Sequence, residues 1–174
     1  YNGLKSDGNA YIDLGHKGDS THRYELDFEY QLASADDANY KSFFGARTAY
    51  QSKEISVIKG NSLDSVAVMQ QNSSNGVRKN FTLDHLNHRY KISISKSSIS
   101  ISIDGTTSTT ANTVTTDFVT DFNLLAFNAR ESNAASSYPT DLIFHSIKEY
   151  DANGVLLYHY VPARKLVDDV LGLL

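Results

Sequence analysis

Three carboxylates stand at alternate positions in the segment Arg23-Tyr24-Glu25-Leu26-Asp27-Phe28-Glu29-Tyr30. Successive side chains of an extended strand point to opposite faces. Glu25, Asp27 and Glu29 therefore share one face, and Tyr24, Leu26, Phe28 and Tyr30 share the other. Two carboxyls about 5–5.5 Å apart, one with a raised pKa, are the equipment of retaining glycoside hydrolysis. Glu25 and Glu29, however, lie four residues apart, about 13 Å along a straight strand at ~3.3 Å per residue. An amphipathic strand with an acidic wet face produces the same pattern. The solvated face is the reading favoured, and no residue is assigned a catalytic role.

Binding without bond cleavage asks for less. A sugar offers hydroxyls to forked polar groups and a C–H face to an aromatic ring. Arg47 and Tyr50 follow one expected strand; Asn128, Arg130 and Asn133 end another. Tyr138 lies in the loop after that, and His145 is on the next strand. These seven are the candidate ligand-binding residues. Arg47 and Arg130 could fork onto hydroxyls or onto an anionic substituent such as phosphate. The pair His85 and His88 could bring two imidazoles together, but zinc needs three or four ligands and no third is evident. Neither Ser nor His occurs in a nucleophile-elbow context. No metal and no cofactor is expected.

The chain has 174 residues, 40 % of them hydrophobic, with 11 Tyr, 8 Phe, no Trp and no Cys, and a net charge of −4. That length suits one domain spanning 1–174. The lack of Cys excludes disulfides and thiolate metal sites. No basic run exists to meet phosphates, so a nucleic-acid partner is not expected. No apolar stretch approaches the roughly 20 residues of a spanning helix, so no membrane partner is expected. The chain begins at Tyr1 rather than Met, which reads as a domain excised from a larger protein.

Period-2 alternation runs through the chain. Arg89–Ser95 and Ser98–Ile103 form a hairpin through Lys96-Ser97, and Asp104-Gly105 then supplies a turn. Further strands are expected at Ala10–Leu14, Lys41–Thr48, Glu54–Ile58, Ser65–Gln70, Val77–Leu83, Phe122–Asn128, Asp141–Tyr150 and Val155–Val161. Asn75-Gly76 and Asn153-Gly154 are hairpin signals. The segments 34–39, 71–75, 106–116 and 131–139 read as polar loops. Ala163–Leu174 admits either a helix or a turn and closing strand. Many short strands with regular turn signals predict an all-β, two-sheet antiparallel sandwich or barrel.

An ordered set of motifs narrows this: Tyr11-Ile12-Asp13-Leu14-Gly15, the strand from Tyr24 to Phe28, Phe44-Gly45-Ala46-Arg47, Arg89-Tyr90-Lys91-Ile92, Phe144 to Asp151, Val161-Pro162-Ala163-Arg164, and Asp169 to Gly172. Together they resemble the concanavalin A-like lectin/glucanase superfamily, and more narrowly its laminin-G-like modules in bacterial surface proteins and phage tails. More narrowly still, they resemble the carbohydrate-binding module inserted in distal tail (baseplate) proteins of phages of lactic-acid bacteria. It implies a jelly roll that binds a cell-wall or surface polysaccharide at its concave face or rim. It also implies an oligomeric parent and an extracellular setting, in a virion tail or on a bacterial surface. Arg47 matches the family's frequent Phe-Gly-Ala-Arg arginine. Glu25-Leu26-Asp27-Phe28-Glu29 also resembles the Glu-x-Asp-x-Glu signature of laminarinase-like hydrolases, in which Glu25 would be nucleophile and Glu29 acid/base. Relatives often carry calcium, for which Asp36-Asp37, Asp117 and Asp121 are the available acids. A third implied role is that of a structural or protein-binding laminin-G-like module.

Overall fold

The alternating segment from Arg23 to Tyr30 is a strand (β3, Arg23–Tyr30) with Tyr24, Leu26, Phe28 and Tyr30 buried and their neighbours turned outward. The computed structural model describes residues 3–6, 10–32, 40–60, 65–73, 75–84, 86–131, 134–135, 140, 142–164 and 171–173. Among these there is no helix. Sheet I runs β1 (Leu4–Lys5), β14 (Ile143–Tyr150), β3, β8 (His88–Ile94), β9 (Ser98–Ile103), β10 (Thr106–Ala111), with β15 (Leu156–Tyr160) also paired to β14. Sheet II runs β13 (Ala134–Ala135), β12 (Arg130–Glu131), β4 (Lys41–Arg47), β5 (Glu54–Lys59), β6 (Ser65–Asn72), β7 (Asn75–Thr82). In the same sheet β11 (Val119–Ala126) pairs both β2 (Ile12–Asp19) and β4. Among the described residues every pairing is antiparallel except β12 beside β4.

The inward faces of the two sheets meet in one apolar cluster. Sheet I supplies Leu26, Phe28, Ile92, Ile101 and Phe144; sheet II supplies Phe43, Phe44, Ile55, Val57 and Val68. Phe28 sits at its centre, with ring centroids 5.7 Å from Phe43, 5.3 Å from Tyr90 and 5.7 Å from Phe144. Burying each such ring contributes roughly 1.5–3 kcal/mol, and offset or edge contacts add to that. This two-layer antiparallel arrangement is a jelly-roll sandwich. Ile58, Ala67, Met69 and Ala129 form a second small cluster on the far side of sheet II, so part of that outward face is itself covered.

Several local expectations change. Thr106–Ala111, read as loop, is strand β10: threonine favours extended backbone, and an edge strand needs no apolar face to pair. The β6–β7 connection turns two residues earlier than Asn75-Gly76. Asn72 already pairs Asn75, and Ser73 adopts the left-handed φ of 59°. Gly76 is needed for another reason: a Cβ there would lie 2.3 Å from the Gln70 carbonyl oxygen. The Asn153-Gly154 hairpin forms as expected, closed by Asp151 N–H to Val155 O at 2.9 Å. At the chain end, β16 (Pro162–Arg164) pairs β17 (Leu171–Leu173), so the described ends of that stretch are strands rather than helix.

Candidate functional site

The outward face of sheet I is built by register. Across one row lie Ser146, Asp27, Lys91, Ser102 and Thr107; across the next lie Lys148, Glu25, Ser93, Ser100 and Thr109. Alternation turns the wet side chains of five neighbouring strands to the same side, and antiparallel pairing aligns them into ladders. Over them runs an open trough of about 330 Å³, lined by Glu25, Asp27, Lys91, Ser93, Ser100, Ser102, Thr107, Ser146 and Lys148. No aromatic ring lines it; apart from Leu26 and Ile92, its lining is hydroxyl-bearing and charged.

The carboxylates of this face are individually engaged. Arg89 donates Nε and Nη2 to the two oxygens of Asp27 at 2.8 and 3.0 Å, a forked charge-assisted pair. Glu25 lies 3.2 Å from the Arg23 guanidinium and accepts from the Tyr150 hydroxyl at 3.2 Å, while Arg23 lies over the Tyr150 ring at 4.1 Å. Partial burial, then the Glu25 charge, raises the Tyr150 phenol above its ordinary value and keeps it a donor. Glu29 accepts from His145 at 2.8 Å and from Asn87 at 3.3 Å. His145 reaches it because a register shift between Phe144 and Ser146 re-aims the side chain. Glu25 and Glu29 thus serve different partners, and Glu29 is not among the lining residues.

Arg47 and Tyr50 come together on the other sheet, at the turn between β4 and β5. Thr48 N–H bonds Ser52 O at 3.1 Å, and Gln51 and Lys53 adopt left-handed φ values of 61° and 44°. Such residues cost roughly 1–3 kcal/mol each and persist only when their surroundings hold them. Here Asp121 accepts from Thr48 and Lys53, both at 2.7 Å, which holds its carboxyl below the usual range. The buried Glu54 accepts from Gln51 N–H at 3.0 Å and lies 3.5 Å from Arg47. The result is a pinned knuckle presenting Tyr50, 60 % exposed, with Arg47 stacked 6.0 Å from its ring and Arg78 donating to its hydroxyl at 3.4 Å.

Of the seven expected binding residues, Arg47 and Tyr50 come together on sheet II, while His145 stands on sheet I. Asn128 is 1 % exposed, and its Oδ1 accepts from Ala129 N–H at 2.7 Å, so it holds a turn. The Arg130 backbone lies beside Ala46. Asn133 and Tyr138 lie outside the described residues, as do His85, Asp36 and Asp37. Asp117 is held 2.6 Å from Lys96. Among the described residues no group of three or more His, Cys, Asp or Glu could hold a metal ion. Sequence reasoning missed Lys91, Lys148 and the serine–threonine ladder. Alternation put them on wet faces, but only register unites them.

One buried polar cluster stands apart. Glu149, 2 % exposed, accepts from His16 Nε2 at 2.5 Å and from His22 Nδ1 at 2.7 Å. The other His16 nitrogen lies 3.0 Å from the Leu14 carbonyl, so both ring nitrogens face acceptors, which suits the imidazolium. Burial alone would lower the His16 pKa; the Glu149 hydrogen bond and charge outweigh it, and the net shift is upward from 6.5. A folded-state pKa above the unfolded one contributes stability that is fully present below about 6.5 and lost as pH rises through the folded value. Glu149→Gln should therefore cost ~1–3 kcal/mol near about pH 6 and less near about pH 8. Urea titrations of both proteins at the two pH values check this, and a pH-independent difference would exclude the linkage.

No family model matches the sequence, and no curated protein matches it. Solved structures do. Domains LG4-5 of the mouse laminin α1 chain superpose with a TM-score of 0.59 at 11 % identity, over 89 % of this chain and 44 % of that one. The enzymatically active domain of tailspike protein 2 of bacteriophage CBA120 gives 0.52 at 9 % identity, over 86 % of this chain and 25 % of that one. This chain spans less than half the length of either. The shared feature is the fold, a concanavalin A-like jelly roll.

Proposed function

We propose that this chain is a non-catalytic carbohydrate-binding module that holds a cell-surface or cell-wall glycan against the outward face of sheet I. The observation that carries the reading is the open trough, where hydroxyls and charged groups converge at strand-fixed spacing. Such ladders match the hydroxyl pattern of a sugar chain, and side chains on rigid strands lose little freedom on binding. Two features favour holding over cutting. Asp27 is committed to a forked arginine pair, which stabilises its charged form, and Glu25 and Glu29 are too far apart along β3 for either glycosidase geometry. The setting we propose is host or surface adhesion, in a virion tail or on a bacterial surface; a tailspike protein of a phage is among the fold neighbours. A lactic-acid-bacteria phage is the host system to try first. Weak sites of this kind gain strength from repeated copies on one particle.

The test is retention of the fluorescently labelled protein on isolated walls and wall polysaccharides from a panel of Gram-positive strains. Saturable binding without release of new sugar ends is expected. Binding accompanied by time-dependent product release would overturn the non-catalytic part. Indifference to every glycan with retention on a protein partner would overturn the reading whole.

A further inference from the structure

Lys91 and Lys148 line the trough from β8 and β14, on either side of β3. Neither side-chain ammonium makes a hydrogen bond or an ion pair with any described residue. The nearby carboxylates do: Asp27 with Arg89, Glu25 with Arg23 and Tyr150, Glu29 with His145 and Asn87. The charge left uncommitted in the trough is therefore positive, on a chain whose net charge is −4.

Geometry sets the spacing of that charge. Lys91 pairs with Asp27 and Lys148 with Glu25, so the lysines are two strands apart laterally and two residues apart along the sheet. At ~4.8 Å between strands and ~3.3 Å per residue, their Cα atoms are roughly 12 Å apart, farther than one sugar ring spans. A second open depression of about 350 Å³ lies along β3 toward its start, lined by Arg23, Thr21, Ser95, Lys96 and Asp151. Arg23 also contacts Glu25 of the trough, which links the two depressions.

We infer that the ligand is an extended acidic polysaccharide, bearing carboxylate, sulfate or phosphate groups, which crosses β3 and continues over β9 and β10, so that two of its anions meet Lys148 and Lys91 while Ser146, Ser93 and the β9–β10 hydroxyls read the sugars beside and beyond them. This rests on the carbohydrate reading above and names its substrate class. Ammonium groups act as point charges that accept an anion from several directions, so they select for charge while the hydroxyl ladder selects for sugar.

The experiment measures binding of the intact protein to polygalacturonate, its fully methyl-esterified form, hyaluronate, chondroitin sulfate, isolated bacterial walls, dextran and mixed-linkage β-glucan. Retention on acidic polymers is expected. Esterification should remove it, and raising the salt to about 0.5 M should weaken it markedly. The double variant K91A/K148A should bind on the order of tenfold more weakly, K91R/K148R should retain binding, and both should melt with the wild type. Equal binding to neutral polymers, or indifference to K91A/K148A, would overturn the acidic-ligand inference and leave the carbohydrate reading standing. Absence of binding to every polymer and wall would overturn both.

Discussion

Gly45→Val should lose ~3–5 kcal/mol of stability, read as a drop in the urea midpoint at unchanged slope. Gly45 lies in β4 with φ 128°, a backbone region closed to β-branched residues. A Cβ there would sit 2.1 Å from the Ile55 carbonyl oxygen and 2.6 Å from the Ser56 Cα. Neither obstacle is a flexible side-chain tip, so β4 and β5 must separate. Strained backbone costs about 1–3 kcal/mol and overpacking about 1–3 kcal/mol, and their sum is a large part of the ~5–15 kcal/mol that holds a domain together. The same separation would slacken the knuckle that carries Arg47 and Tyr50, which begins at the end of β4. A variant with the wild-type midpoint would mean the two strands do not approach so closely.

Phe28→Ala should cost ~3–5 kcal/mol, the range for removing a fully buried ring. Phe28 is 0 % exposed and touches aromatic partners from both sheets, so no single neighbour can collapse into the space. The contrast lies one residue away: Asp27→Ala, on the wet side of the same strand, loses an exposed pair and should cost no more than ~1 kcal/mol. Chemical denaturation of the two variants side by side checks the assignment of faces. Equal costs would mean β3 is not oriented as described.

That orientation was legible in the sequence. Tyr24 to Tyr30 alternates without exception, and the Ile-Ser repeats of β8 and β9 do the same, so hydropathy alone identifies which face each strand buries. The all-β sandwich followed from those segments and from Asn153-Gly154. β10 was not legible, because Thr and Ser carry no apolar signal and its pairing is a matter of backbone alone. Gly76 was read as a turn residue when the constraint on it is a carbonyl on the neighbouring strand, which no local pattern encodes. The knuckle was half legible: an aromatic beside an arginine at a strand end drew attention to Tyr50 and Arg47, but the buried Glu54 and the Asp121 brace come from distant segments. The trough was legible only as separate wet faces. Which hydroxyl stands next to which lysine depends on strand order, and β14 lies beside β3 although more than a hundred residues separate them. That Asn128 braces a turn was not legible, because an amide at a strand end serves a turn as readily as a ligand.

The two walls of the trough differ in how firmly they are fastened. The β14 side is anchored by Phe144 and Ile147 in the core. The β10 side contributes nothing to the core; its residues are almost wholly exposed, and it is held by one ladder to β9 and by Lys79 reaching over from β7 to Ser108 and Thr110. Elements with few buried contacts open at low cost while the body stays folded. Thr107 therefore stands on the less firmly fastened of the two walls, so a molecule gripped across the trough would meet a firm hold at β14 and a yielding one at β10.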